Sequence, residues 1–392
     1  MIDSYFSDRI RNVRTSPTLG ISSRAREMKR EGIDVISLSS GEPDYPTFDY
    51  IKREAERALR DNFTHYTPTP GMPELREAIV SKFKRDQGLE YSAREVITTT
   101  GAKQALYEGF QVICQEGDEV LMPVPYWVSY PQQVIMAGGT TVPVATSEKN
   151  NFKMTPEELK EAITPSSKVL LLNYPHNPTG HLYSAQELKA LVPLIIEHDL
   201  LLVTDEVYEH LTYEEPMQSI VALAPELQKR TLIINGLSKA YAMTGWRVGY
   251  AAGPEPLISA MSRMQSHLTS NITSISQRAA VAALEGPMDQ VEEMRDEFRL
   301  RRDLMVEGIN SLEGFSCSKP AGTFYLWVSI GDYLKQSPYS NDSELAEALL
   351  EKGRVATVPG SAFGQEGYLR LSFASSRERL QAALGRLEQF VG

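Results

Sequence analysis

A lysine set among small residues just past an apolar run is the first residue to weigh. Lys239 lies in Asn235-Gly236-Leu237-Ser238-Lys239-Ala240, directly after Thr231 to Asn235. An amine held there away from water loses part of its preference for the charged form and falls from about 10.4, which suits Schiff-base chemistry. Asp205 follows the most apolar run, Leu200 to Thr204, and precedes Glu206-Val207-Tyr208. Taken singly, each has an ordinary reading: Lys239 as a surface lysine after a strand, Asp205 as a helix cap.

Other residues point the same way. Gly101-Ala102-Lys103 joins the run ending at Thr100 to a helical segment, with small residues where a phosphate could meet free backbone N–H groups. Arg247, in Gly245-Trp246-Arg247-Val248-Gly249, could pair bidentately with the same phosphate. Trp127 offers a flat face to an aromatic ring. Asn173-Tyr174-Pro175-His176-Asn177-Pro178-Thr179-Gly180 holds more than a turn requires, so Asn173 and Asn177 read as donors aimed at a ligand. A lysine nucleophile, a buried acid, an aromatic shelf and a phosphate site together describe pyridoxal 5'-phosphate (PLP) chemistry.

The elements that must position these residues are legible in the periodicity. From Arg94 to Gly253 short apolar strands alternate with helical segments: Val96 to Thr100, Glu119 to Pro123, Thr141 to Ala145, Val169 to Asn173, Leu200 to Thr204, Thr231 to Asn235 and Val248 to Ala252. Leu170-Leu171-Leu172 and Leu200-Leu201-Leu202-Val203 would bury both faces, as strands of a helix-covered parallel sheet do. Crossover helices follow from Thr155-Pro156-Glu157-Glu158 and from the capping box of Ser184 with Glu187. The fold class is α/β, with helices on both faces of a mostly parallel central sheet. Ligands of such sheets sit at the carboxyl ends of the strands. Beyond Pro254, long helices are expected over Glu255 to Glu285 and Met288 to Leu312. Strands at Thr323 to Ile330, Val355 to Val358 and Tyr368 to Phe373, with helices at Ser343 to Gly353 and Arg377 to Phe390, suggest a smaller α+β domain.

Composition narrows the function classes. The 392 residues carry 40 Lys plus Arg against 51 Asp plus Glu, a formal charge of -11, so a polyanion such as nucleic acid would be repelled. Two cysteines and six histidines show neither a disulfide framework nor metal-ligand spacing. A polar N-terminus without an apolar run, and no stretch of roughly 18 apolar residues, argue for a soluble cytoplasmic protein with no membrane partner.

Asn173 to Gly180, Asp205-Glu206-Val207-Tyr208, Ser238 to Arg247 and Tyr368-Leu369-Arg370-Leu371-Ser372 resemble the class I aminotransferases of PLP-dependent transferase fold type I. The matching motifs run in family order over nearly the whole chain. The resemblance implies an N-terminal segment, 1–43, packed with a small domain, 286–392, beside a large PLP-binding domain, 44–285. It implies that Lys239 carries the cofactor as a Schiff base and moves the proton during transamination. Asp205 would hold the pyridine nitrogen protonated, Tyr208 and Asn177 would bond the ring O3′, and Trp127 would stack on the ring. The backbone of Gly101, Ala102 and Lys103, with Arg247, would cradle the phosphate. Tyr66 would be donated to a neighbouring subunit's phosphate, which makes the expected assembly a homodimer with shared active sites. Arg370 would clamp the substrate α-carboxylate, helped by Asn177 and the N–H of Gly41. This chain departs from many members in having Gly236 where they carry a serine, and Ser238 is the remaining hydroxyl candidate for the cofactor.

Gly-Ala-Lys-Gln followed by Pro-Tyr-Trp-Val-Ser-Tyr resembles the bacterial aspartate aminotransferase subgroup and its aspartate/prephenate relatives. In that subgroup a lysine matching Lys103 and a threonine matching Thr18 bind the dicarboxylate side chain, so aspartate with 2-oxoglutarate is the expected pair. The same scaffold also runs prephenate or aromatic transamination and PLP-dependent lyase chemistry. A transcription-regulator sensor would need a basic DNA-binding domain. A nicotinamide enzyme would need a Gly-x-Gly-x-x-Gly after an early strand, and this sequence has none.

Overall fold

The computed structural model describes residues 2–15 and 17–392, with the side chains of Asp3, Asp8 and residues 17–19 outside the description. Strands are numbered along the chain: β1 Ile36–Ser37, β2 Val96–Thr100, β3 Glu119–Pro123, β4 Thr140–Val144, β5 Ser167–Asn173, β6 Leu201–Asp205, β7 Thr231–Gly236, β8 Val248–Ala252, β9 Ser316–Cys317, β10 Tyr325–Ser329, β11 Val355–Ala356, β12 Val358–Pro359 and β13 Tyr368–Ser372. Seven of them form one sheet in the order β2-β8-β7-β6-β5-β3-β4. Its pairs are parallel from β7 to β4, while β8 runs antiparallel to both β7 and β2.

Alternation within β5 shows why the sheet needs cover on both faces. Leu170 and Leu172 pack with Leu188, Leu191 and Ile195 of helix Ala185–Glu197. Val169 and Leu171 join Leu106 and Phe110 of helix Ala102–Ile113 on the opposite face. Full burial of each such side chain contributes about 2 kcal/mol, so a continuous apolar run is stable only between two helical layers. The crossover helices begin where the capping residues stand. Thr155 accepts from the Glu158 N–H and Ser184 from the Glu187 N–H, each in a reciprocal capping box.

Two expectations from the sequence need correction. Glu255 to Glu285 is not one helix but two, Glu255–Gln265 and Ser274–Glu285. The fully buried Gln265 side chain donates to the carbonyls of Thr69, Thr98 and Ser270, and Ser270 has a left-handed φ of 57°. Val355 to Val358 is likewise divided, because β11 pairs with β1 while β12 pairs with β13. Helices Pro17–Arg30, Asp49–Arg60 and Pro73–Gln87 precede the large sheet in a stretch the periodicity left unassigned. Among the described residues no helix is long and apolar enough to cross a membrane.

One contact sets the position of helix Ala102–Ile113. Gly236 and Gly249 face each other across β7 and β8. A Cβ on Gly249 would lie 2.2 Å from the Ala102 nitrogen and from the Gly101 carbonyl carbon. The helix start therefore rests directly on the sheet. Gly249→Ala should lower stability by about 1–3 kcal/mol in urea denaturation. Gly245→Ala, where a new Cβ meets nothing within 4 Å, should stay within about 0.5 kcal/mol of the parent.

Candidate active site

Parallel register aligns the carboxyl ends of the central strands, pairing Asn173 with Asp205 and Asp205 with Ile234. Asp205 is 4% exposed and accepts hydrogen bonds from the Tyr130 hydroxyl at 2.8 Å and the Val207 N–H at 3.3 Å. Burial pushes its carboxyl up to about 6, with the Tyr130 hydrogen bond working in the opposite direction. Asn173 behaves differently from the sequence expectation. Its amide donates to the Asp205 carbonyl and its oxygen accepts from the Asn177 N–H, both at 2.8 Å. It ties the loop to the sheet, and both ends of its carboxamide are engaged with backbone.

Lys239 follows β7 and lines a cavity of about 600 Å³ with Asp205, Tyr208, Asn177, Trp127 and Arg370. Its Nζ donates to the Gly41 carbonyl at 2.5 Å and lies 5.7 Å from the Tyr208 ring centroid. Burial, then the Arg370 charge, lowers the amine to about 8, against the pull of Glu42 and Asp205. Gly41 was expected to offer its N–H to substrate; here its carbonyl holds the amine. The Tyr208 hydroxyl bonds that of Tyr325 at 3.0 Å.

Arg370, on β13, is 3% exposed. It donates to Asn177 Oδ1 at 3.0 Å and to the Ser39 carbonyl at 3.1 Å, with its guanidinium over the Tyr325 ring at 4.2 Å. Its Nε is buried without a partner, and no carboxylate among the described residues pairs with it. A buried cation left without a counter-charge is costly to maintain, and an anionic ligand relieves that cost.

The other end of the cavity is built for an anion as well. Gly101 caps helix Ala102–Ile113 at φ 79° with no side-chain cap, leaving the first N–H groups available. A Cβ there would come within 2.3 Å of an Arg247 guanidinium nitrogen, so only glycine lets that side chain lie across the helix start. Arg247 itself has a left-handed φ of 56° and donates to the Thr244 carbonyl at 2.9 Å. Ser238 lines the cavity, as do Ala102 and Lys103. A Cβ at Gly236 would stand 3.1 Å from the Val248 carbonyl, which leaves little room for a serine. Trp127 stands edge-on to Tyr130 with centroids 5.2 Å apart, and Lys103 Nζ lies 4.8 Å from the indole centroid. Desolvation, then the Arg247 charge, draws the Lys103 amine below its ordinary value.

One expected residue lies apart, and the side chain of another is not described. Tyr66 is 92% exposed and lines no part of this cavity. The side chain of Thr18, in the first turn of helix Pro17–Arg30, lies outside the described residues. The sequence reading assigned no role to Tyr130, Tyr325, Ser39 or Glu42. Tyr130 ends the quoted Pro-Tyr-Trp-Val-Ser-Tyr run, but nothing local connects it to Asp205.

A ring nitrogen opposite Asp205, a phosphate at the Gly101–Arg247 cradle and an aldehyde near Lys239 match what this cavity offers, so the residues fit PLP. Residues 33–387 match the family model described as aminotransferase class I and II. The chain belongs to the class I and II aminotransferases. It is 48% identical to the aspartate aminotransferase of Geobacillus stearothermophilus over 98% of both chains. Identity is 44% to a probable aspartate/prephenate aminotransferase of Rhizobium leguminosarum over 99% of both. The solved aspartate aminotransferase of Rhizobium meliloti superposes with a TM-score of 0.95, at 42% identity and 98% coverage of each chain. The cofactor of this aminotransferase is PLP.

Burial of Asp205 has a measurable cost when the cofactor is absent. A carboxyl raised from 3.8 to about 6 contributes stability below the unfolded value and loses it as pH rises through the folded one. In the cofactor-free aminotransferase, Asp205→Asn should therefore add about 1–3 kcal/mol at pH 8 and almost nothing at pH 4, by urea denaturation. The same variant should lose nearly all amino-transfer activity once PLP is supplied.

Proposed function

We propose that this aminotransferase moves the amino group of aspartate to 2-oxoglutarate in a ping-pong cycle, with both acids using the same cavity in turn. The observation carrying this reading is Arg370: a buried guanidinium without a counter-ion, in the same cavity as a second cation, Lys103. A dicarboxylate can meet both charges at once, whereas a monocarboxylate leaves one unanswered.

When bound, PLP supplies an aldehyde that condenses with amines and a ring that accepts the electrons left at the substrate Cα. Lys239 would hold the cofactor and, once released by substrate, carry the proton between Cα and C4′. An amine near 8 is in part uncharged at neutral pH and so can serve as both acceptor and donor. Asp205 would pair with the pyridine nitrogen, and Tyr208 and Asn177 with O3′. Asn177 has its oxygen on Arg370 and no hydrogen-bond partner for its amide N–H groups among the described residues. Gly101, Ala102, Lys103, Ser238 and Arg247 would hold the phosphate, and Trp127 would wall the ring. Arg370 would clamp the α-carboxylate, with Asn177 and Gly41 beside it, and Lys103 with Thr18 the distal one.

Within this reading, residues 44–285 form the PLP-binding unit, and 1–43 with 286–392 cover it. Two contacts support the grouping: β1 of the N-terminal segment pairs with β11, and the Ser39 carbonyl accepts from Arg370. The exposure of Tyr66 supports a homodimer in which that side chain completes the neighbouring phosphate site. The proposed setting is the cytoplasm.

Lys239→Ala should abolish aspartate-dependent formation of glutamate from 2-oxoglutarate. Lys103→Ala should raise KM for aspartate by about 10- to 100-fold, the range of one charge-assisted hydrogen bond, and change KM for an aromatic amino acid little. Equal effects on both substrates would remove Lys103 from the distal site. A parallel assay with prephenate as acceptor separates the dicarboxylate reading from the broader one.

A further inference from the structure

The charge of the whole chain and the charge of its cavity have opposite signs. The sequence carries a formal -11. The cavity is lined by Arg26, Lys29, Lys103, Lys239, Arg247 and Arg370, against Glu42 and Asp205. Four of these cations have roles above, whereas Arg26 and Lys29 have none.

Both stand on helix Pro17–Arg30, where Ser22, Ala25, Arg26 and Lys29 make one stripe along the cavity. Cations of this helix are treated unequally. Arg24, off that stripe, faces Glu351 at 2.9 Å, Glu27 at 3.8 Å and Glu31 at 3.9 Å. Arg26 and Lys29 are exposed and have no side-chain hydrogen bond or ion pair among the described residues. Glu27, Glu31 and Glu351 thus neutralise a cation that points elsewhere, while the cavity-facing pair has no carboxylate within ion-pair distance among the described residues and Lys29 feels only the more distant Asp34.

We infer that Arg26 and Lys29 form an anion-collecting rim at the cavity mouth that draws dicarboxylates in ahead of Arg370 and Lys103. The inference rests on the dicarboxylate reading above. A dianion approaching a strongly acidic protein is repelled on average. Free cations within about 10 Å of its path, a Debye length at 0.1 M salt, reverse that sign locally. Because both side chains stay hydrated, they accelerate entry and do not clamp. The rim distinguishes a dianion from an amino acid of zero net charge before any contact with the inner residues.

The test is stopped-flow binding of maleate, a dicarboxylate without an amino group, to the PLP-loaded enzyme over a range of ionic strength. Arg26→Gln with Lys29→Gln keeps good helix formers on an exposed face. At about 20 mM salt this double variant should associate about three- to tenfold more slowly, with a flatter salt dependence that meets the parent at about 0.5 M. The dissociation rate should change less than twofold. Arg26→Glu with Lys29→Glu should invert the salt slope. Arg30→Gln with Lys160→Gln removes two exposed charges that do not line the cavity and should leave the rate within twofold.

Rates and slopes equal to the parent in the rim variants overturn the inference, and so does an equal loss in the Arg30/Lys160 control. A parent that binds maleate and transaminates aspartate while the rim variants behave like it leaves the proposed function standing without the rim. A parent that binds no maleate overturns both.

Discussion

Holding Lys239, Asp205 and Arg370 out of water in one cavity places opposing demands on the fold. Burial and then the Arg370 charge move the amine down to about 8, and burial moves the acid up to about 6 against the Tyr130 hydrogen bond, so each loses part of its preference for the charged form. The protein answers with dipoles more than with ion pairs. Tyr130 and the Val207 N–H serve Asp205, the Gly41 carbonyl serves Lys239, and the Ser39 carbonyl and Asn177 serve Arg370. Such partners hold a charged group in place without cancelling it. The remaining electrostatic deficit is left for cofactor and substrate to fill, and this converts the cost of burial into selectivity for ligands that bring the missing charges.

The anion cradle follows from a different constraint, that of close approach. Gly236 and Gly249 remove side chains where helix Ala102–Ile113 meets the sheet, and Gly101 removes the one that would strike Arg247. Each glycine weakens its own element slightly, yet together they put a helix start and a guanidinium at one point. The same packing is close at Gly236, the position where the serine of the resembling family is absent. With its Cβ site 3.1 Å from the Val248 carbonyl, that position is tight in this chain, and Ser238 is the hydroxyl that lines the cavity instead.

How far the sequence disclosed this arrangement depends on how local each signal is. The runs through Leu170 to Leu172 and Leu200 to Val203 announced buried strands because burial on both faces leaves no alternative composition. Thr155, with its proline and early acids, and Ser184, with its capping box, announced helix starts because each signal is complete within four residues. Topology marked Asp205 and Lys239, each just past a strand, as positions to inspect, and only the neighbouring motifs turned them into ligand candidates. The bonds that tune them carry no such mark. Tyr130 reaches Asp205 across 75 positions, Tyr325 reaches Tyr208 across 117, and Arg370 reaches Ser39 across 331. Only tertiary packing makes those partners neighbours. The break near residue 270 was hidden for the same reason, since the Gln265 side chain bonds carbonyls of residues 69 and 98 that no helical pattern contains.

Behind the cavity a second polar group of residues fixes the strand ends without touching it. Glu206 and Asp205 are adjacent on the chain and so project to opposite sides. While Asp205 faces the cavity, Glu206 accepts from Ser219 at 2.8 Å and from Gln87 at 3.2 Å. Gln87 also donates to Glu209 at 2.7 Å, and Glu209 pairs with the fully buried Lys82 and accepts from Asn235 at 2.8 Å. Asn235 lies on β7, four residues before Lys239. The loop that follows Asp205 is thereby bonded to the strand that leads to Lys239, through groups that do not line the cavity. Burial, reinforced by Glu209, raises Glu206 to about 7. Removing one member of such a network would leave another buried and unpaired, whereas removing a cavity residue leaves a gap that water can fill. Precision at the cavity is therefore maintained from the side that the reaction never disturbs, and the cavity-facing charges can exchange partners during turnover without loosening the strands that carry them.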